Sequence, residues 1–110
     1  MAQSGNFGFL ITPNDPNDDY DWSLFNITTA SCEDIYDDPS LVVSCNAAGG
    51  GTCNGNTGAT GATSYNNQGG GCGANPPSQN AGFSPFNALI PVTFGNTYAL
   101  MVSNWTGSPN

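Results

Sequence analysis

Tyr20-Asp21-Trp22-Ser23-Leu24-Phe25-Asn26-Ile27 decides the fold class. In an extended chain Tyr20, Trp22 and Leu24 share one face, while Asp21 and Ser23, with Asp19 before them, share the other. A period of two marks a strand with one buried face. Thr97–Trp105 repeats the pattern and directs Tyr98, Leu100 and Val102 at a core. Asn6–Thr12 does so with Phe7, Phe9 and Ile11 and stops at Pro13. Asn14–Asp19 is a turn by composition, so Tyr20–Ile27 is expected to run antiparallel to Asn6–Thr12. Leu41–Cys45 and Phe86–Phe94 add two more strands; Pro91 marks an edge or a bulge, and Gly95-Asn96 a tight turn. The one helical turn expected is Cys32–Tyr36, capped by Ser31 and followed by Pro39. These elements predict an all-β fold in a single domain, residues 1–110, interrupted by a long Gly/Asn-rich insertion loop at about 46–80.

Composition narrows the function. The 110 residues carry 8 Asp and Glu, no Lys, Arg or His, and a formal net charge of -8. Phosphate backbones and anionic bilayers need basic counter-charges, so nucleic acid and membrane surfaces are excluded as partners. No His-based triad, His metal site or side-chain salt bridge can form. Ser and Thr nucleophiles lack a His or Lys base, and carboxylates grouped in exposed turns are poor candidates for a glycosidase pair, so no enzyme is expected. With 15 Asn, 15 Gly, 10 Ser and 10 Thr, the chain reads as an extracellular or cell-surface module. No apolar run reaches membrane-spanning length. Met1-Ala2-Gln3-Ser4-Gly5 lacks the basic start of a signal peptide, so the expectation is a mature product or a piece of a longer exported polypeptide.

Cys32, Cys45, Cys53 and Cys72 are an even set in a small β chain, which predicts two disulfides. Zinc is the rival, disfavoured by the absence of a C-x-x-C knuckle. Cys32–Cys45 with Cys53–Cys72 is the preferred pairing of three, because each closes a local loop; the second pair would staple the Gly-rich insertion.

Three stretches carry a resemblance: Asn14–Asn26, Cys32–Tyr36 with Leu41–Cys45, and Ile90–Asn104. Together they resemble repeat modules of long surface proteins of the gliding-motility and type IX secretion kind. More distantly they resemble the pre-peptidase C-terminal β-sandwich. The resemblance spans most of the chain outside the insertion. It implies a jelly-roll-like antiparallel sandwich in a non-catalytic surface module, whose first cysteine pair matches Cys32 and Cys45. In both families a further strand follows the stretch matched by Ser103-Asn104-Trp105, and one precedes Ser4-Gly5. Their absence here leads to the expectation of an unpaired edge beside an apolar groove. Strand exchange between protomers would fill it and build a head-to-tail filament. The alternative is a Ca²⁺-dependent carbohydrate-binding or adhesive module of a larger secreted protein.

Asp15, Asn17, Asp19 and Asp21 place oxygen side chains at alternate positions, a donor set suited to Ca²⁺. Tyr20 stands where an EF-hand needs its turn Gly, and Asn26 where it needs its bidentate Glu, so an EF-hand is rejected while a loop Ca²⁺ site stays open; the competing reading is a solvated acidic turn. Glu33, Asp34, Asp37 and Asp38 form a second acidic group, read as a solvated loop. Asn26-Ile27-Thr28 and Asn104-Trp105-Thr106 are N-glycosylation sequons. Trp22 is expected in the core and Trp105 nearer the surface, where it can offer a sugar-stacking ring.

Overall fold

The computed structural model describes residues 1–47, 54–61, 68–69 and 85–106. The fold is all-β. Its strands are β1 (Gly5–Phe7), β2 (Phe9–Ile11), β3 (Tyr20–Asn26), β4 (Val42–Asn46), β5 (Thr57–Ala59), β6 (Gln68–Gly69), β7 (Phe86–Asn87), β8 (Ile90–Val92) and β9 (Tyr98–Asn104). Short 3-10 turns at Cys32–Tyr36 and Pro39–Leu41 connect β3 to β4. The Asp34 carboxylate reaches back to the Ser31 N–H at 2.8 Å and closes the first of these turns, as the capping residues predict.

One sheet runs β6-β4-β3-β9. β3 sits at its centre, antiparallel to β4 on one side and to β9 on the other, from Tyr20↔Asn104 to Asn26↔Tyr98. Facing it are β1-β8 and β2-β5-β7. The predicted strand Asn6–Thr12 is broken at Gly8 into β1 and β2, and Phe86–Phe94 divides in the same way into β7 and β8. The cause is a wedge. β1 pairs with β8 up to Phe7↔Ile90, and beyond Gly8 the two chains part to admit β5 between β2 and β7. At the fork only glycine fits: a Cβ on Gly8 would stand 2.6 Å from Leu89 Cδ2 and 2.8 Å from Ala59 O. Within the wedge Gly58 has φ +150°, and a Cβ there would collide with the Phe9 carbonyl. Gly58→Ala is therefore expected to lower stability by about 2–3 kcal/mol, read as a lower denaturation midpoint at unchanged slope.

The core lies between these layers: Trp22 and Leu24 from β3 against Ala59, Ile90 and Val92, with Phe7, Phe9, Ile11, Val43 and Tyr98 packed around them. Phe9 meets Trp22 edge-on at a centroid distance of 4.8 Å. Trp22 Nε1 donates to Thr57 Oγ1 at 3.1 Å, so the buried indole keeps its hydrogen bond. Asn87 ties β7 to β4. It accepts from Asn46 Nδ2 at 2.8 Å and donates to Ser44 Oγ and to Cys45 O, each at 2.9 Å.

Four expectations are corrected. Tyr20–Asn26 does not pair with the first strand; the two lie in opposite sheets, because β3 is occupied on both edges by β4 and β9. The insertion contains strands, β5 and β6, and pairing is not wholly antiparallel: β4–β6 and β5–β7 are parallel. Leu100 and Val102 stand on the core face but remain 44% and 42% exposed. The Cys32–Cys45 bridge is absent: Cys32 is a free, exposed thiol. Cys45 is disulfide-bonded, to a partner outside the described residues. Cys53 and Cys72 both lie outside them. Among the described residues no helix is long and apolar enough to cross a membrane.

Candidate functional site

The open side of the core is built by β9. Ile27 donates to Thr97 O and Trp105 donates to Asp19 O, at the two ends of the β3–β9 ladder. Antiparallel pairs alternate, so Ala99, Met101 and Ser103 bond β3, and the N–H and C=O groups of Leu100 and Val102 point to the other edge. Among the described residues no strand occupies that edge. Directly opposed residues share a face, which puts Val102 beside Trp22 and Leu100 beside Leu24. Trp22 and Leu24 are 2% and 3% exposed, so the sheet is covered over β3 and bare over β9.

The facing layer is open on the same side. β7 packs on β4 and β5 on β3, which leaves β2 toward β9. Gly58 gives its N–H to Pro85 O, so β2 bonds β5 through Phe9 and Ile11. Pro91 has no N–H, so the β1–β8 ladder rests on Gly5 and Phe7. All four residues have the same parity and turn their backbone groups to one edge. The opposite edge of β1 and β2 carries no strand among the described residues, and the core-facing Phe7, Phe9 and Ile11 are only half-buried. Among the described residues, the half-buried Phe7, Phe9 and Ile11 and the exposed Leu100 and Val102 thus border two edges that carry no strand. Natural edges are guarded by Lys, inward charge, Pro or a covering loop. β9, Tyr-Ala-Leu-Met-Val-Ser-Asn, has no charged residue.

The acidic turn before β3 is a second unusual feature. Asp15 Oδ1 accepts from the Asn17 N–H at 2.9 Å, and Asn17 is exposed. Asn54 Nδ2 donates to Asn17 O and the Gly55 N–H to Asp18 O, which ties the turn to the segment leading into β5. This packing buries Asp18 and Asp19 to 4% and 7% exposure. Asp18 Oδ1 accepts from Thr106 Oγ1 at 3.1 Å. Asp19 Oδ1 and Asp21 Oδ1 are buried and have no hydrogen-bond partner. Burial raises the Asp19 pKa. Burial, and then the neighbouring Asp19 charge, push Asp21 up to about 6.

The expected donor set Asp15, Asn17, Asp19 and Asp21 is thus divided: Asp19 and Asp21 come together, while Asp15 caps the turn and Asn17 faces solvent. Among the described residues no three His, Cys, Asp or Glu side chains converge as metal ligands. The expectation that carboxylates in these turns stay exposed is overturned for Asp18 and Asp19, which are buried, and holds for Glu33, Asp34, Asp37 and Asp38, which are exposed. A pH dependence follows. The folded state binds the Asp21 proton more tightly than the unfolded chain, so the contribution of this group to stability is fully present below about 3.8 and is lost as pH rises through about 6. In chelated buffer the melting temperature is expected to be higher at pH 5 than at pH 7.5. Asp21→Asn should remove most of that difference.

The other sites take simpler roles. Asp34 and Asp38 accept from the Ser31 and Ser40 N–H groups, so the second acidic group caps turns. In both sequons the Asn Oδ1 accepts from the Thr N–H two residues on, at 3.1 Å for Asn26 and 3.1 Å for Asn104. Asn26 ends β3 and Asn104 ends β9; the Asn104 amide also leans on Asp18 Oδ2 at 3.5 Å. Trp105 is 75% exposed.

No family model, curated protein or solved structure matches this chain. Its chemistry is read from its own residues.

Proposed function

We propose that the protein is a structural subunit of an extracellular filament or surface adhesin, assembled head to tail by β-strand complementation. On this reading the fold is a jelly-roll-like sandwich that lacks part of one wall, and its Gly/Asn-rich loop is stapled by a disulfide. An extended segment of a neighbouring copy fills the groove between β9 and β1/β2. The carrying observation is the exposed, uncharged edge of β9, with Leu100 and Val102 on the core face and their backbone groups directed outward. A second copy suits this edge because no carboxylate stands along it, so molecules of net charge -8 can meet there without opposing like charges. A contact that joins two different surfaces and does not close on itself extends indefinitely. The surface sequons are read as glycan sites that would help keep such polymers soluble.

Negative-stain microscopy at stepwise increasing concentration tests the proposal. Fibres of uniform width that lengthen with concentration are expected; discrete particles at every concentration contradict it. The exposed Trp105 ring favours the second reading, a carbohydrate-binding module. That reading requires saturable glycan binding by the monomer, lost in Trp105→Ala.

A further inference from the structure

We propose that Asp19 and Asp21 bind a hard divalent cation, Ca²⁺ by donor chemistry, on the outer face of β3. The proposal stands apart from strand complementation. Three observations carry it. Asp19 is 7% exposed, yet its Oδ1 has no hydrogen-bond partner, and Asp21 Oδ1, two residues on and on the same face, is also buried without one. Buried carboxylate oxygens are normally hydrogen-bonded or paired with a cation, because desolvating an anion is costly. This protein has no Lys, Arg or His to supply that cation, so a metal that pairs them at neutral pH comes from solution.

The neighbouring anion is already accounted for. Asp18 Oδ1 accepts from Thr106 Oγ1, just beyond the end of β9, so it has a hydrogen-bond donor of its own. Ser103 stands opposite Asp21 on the same face and adds a hydroxyl within the register. Two carboxylates, a hydroxyl and water make an all-oxygen set, which suits Ca²⁺ and its flexible coordination better than a metal preferring nitrogen or sulfur. With only two charged ligands the affinity belongs in the range of extracellular modules, about 10⁻⁴–10⁻³ M. Because the Trp105 N–H bonds Asp19 O at 2.7 Å, an indole-bearing residue borders the site and can sensitise a lanthanide placed there.

The probe is Tb³⁺, excited through tryptophan and displaced by Ca²⁺, with the wild-type chain at pH 7.5. Sensitised emission is expected, with displacement by millimolar Ca²⁺ and a rise of several degrees in melting temperature over chelated protein. Asp21→Asn should abolish emission and the thermal shift. Asp19→Asn provides the second variant should the first not fold, which circular dichroism would show. The distant double variant Asp37→Asn/Asp38→Asn should retain both effects. Emission equal in Asp21→Asn and wild type, or lost equally in the distant double variant, would mean diffuse attraction to the net charge and would overturn the site. So would an unchanged melting temperature in 5 mM Ca²⁺, which would leave a shared proton as the means by which the two carboxylates coexist.

Discussion

Lysine at both Leu100 and Val102 is expected to abolish assembly while leaving the protomer folded. Both side chains are already nearly half exposed, so the folded monomer loses little apolar burial. In the assembled state they would lie under the incoming strand. Losing their burial there, and burying an ammonium without a partner instead, should cost at least about 3 kcal/mol of association free energy. That raises the critical concentration about 100-fold or more. Sedimentation across a concentration series reads the change, and thermal melting of the dilute protein verifies that the fold survives. Asp37→Lys alters net charge by the same amount as the double variant alters it per site pair, at a position remote from the edge. It should therefore leave assembly intact. Assembly persisting in the double variant would remove β9 from the interface.

Asn87→Leu is expected to be the most damaging single change to the fold itself. The Asn87 side chain is fully buried and joins β7 to β4 through Asn46 Nδ2, Ser44 Oγ and Cys45 O. Leucine keeps the volume and removes every one of these bonds. The polar atoms left behind face an apolar group with no water within reach, at about 1–3 kcal/mol for each one left unsatisfied. A combined loss of about 3–5 kcal/mol is a large share of the total stability of a domain this size. Urea denaturation should register it as a large fall in midpoint. Asn87→Asp keeps the acceptor for Asn46 but loses both donor bonds and adds a buried charge, so it should be no better tolerated.

The strands were legible where alternation was long enough to be unambiguous. β3 and β9 span seven residues each, and their bounds follow to within one residue from Trp22, Leu24 and Tyr98 recurring on one face, while their pairing with each other does not. β5 was not legible. Thr57-Gly58-Ala59 is three residues around a glycine, too short to show a period, and its place is fixed only by the fork at Gly8. The hairpin expected between the first strand and Tyr20–Asn26 failed because a turn of the right composition does not say whether the chain returns in the same sheet or crosses to the facing one. Spacing put Asp15 and Asn17 with Asp19 and Asp21, but burial separates them. Asp19 and Asp21 share the outer face of β3 with buried oxygens, while Asp15 accepts from the Asn17 N–H. The cysteines mislead for a related reason: loop length permits Cys32–Cys45, yet Cys45 lies 2% exposed in β4 while Cys32 opens an exposed turn.

What the uncharged edge implies can be read amide by amide. The Leu100 and Val102 N–H groups point away from β3, whereas those of Ala99, Met101 and Ser103 bond it. Hydrogen exchange measured by site over a concentration series therefore separates a bare edge from an occupied one. Fast exchange at Leu100 and Val102 in dilute protein, turning to strong protection as assemblies form, is the result predicted. Exchange at those two amides that stays fast within assembled material would contradict the account.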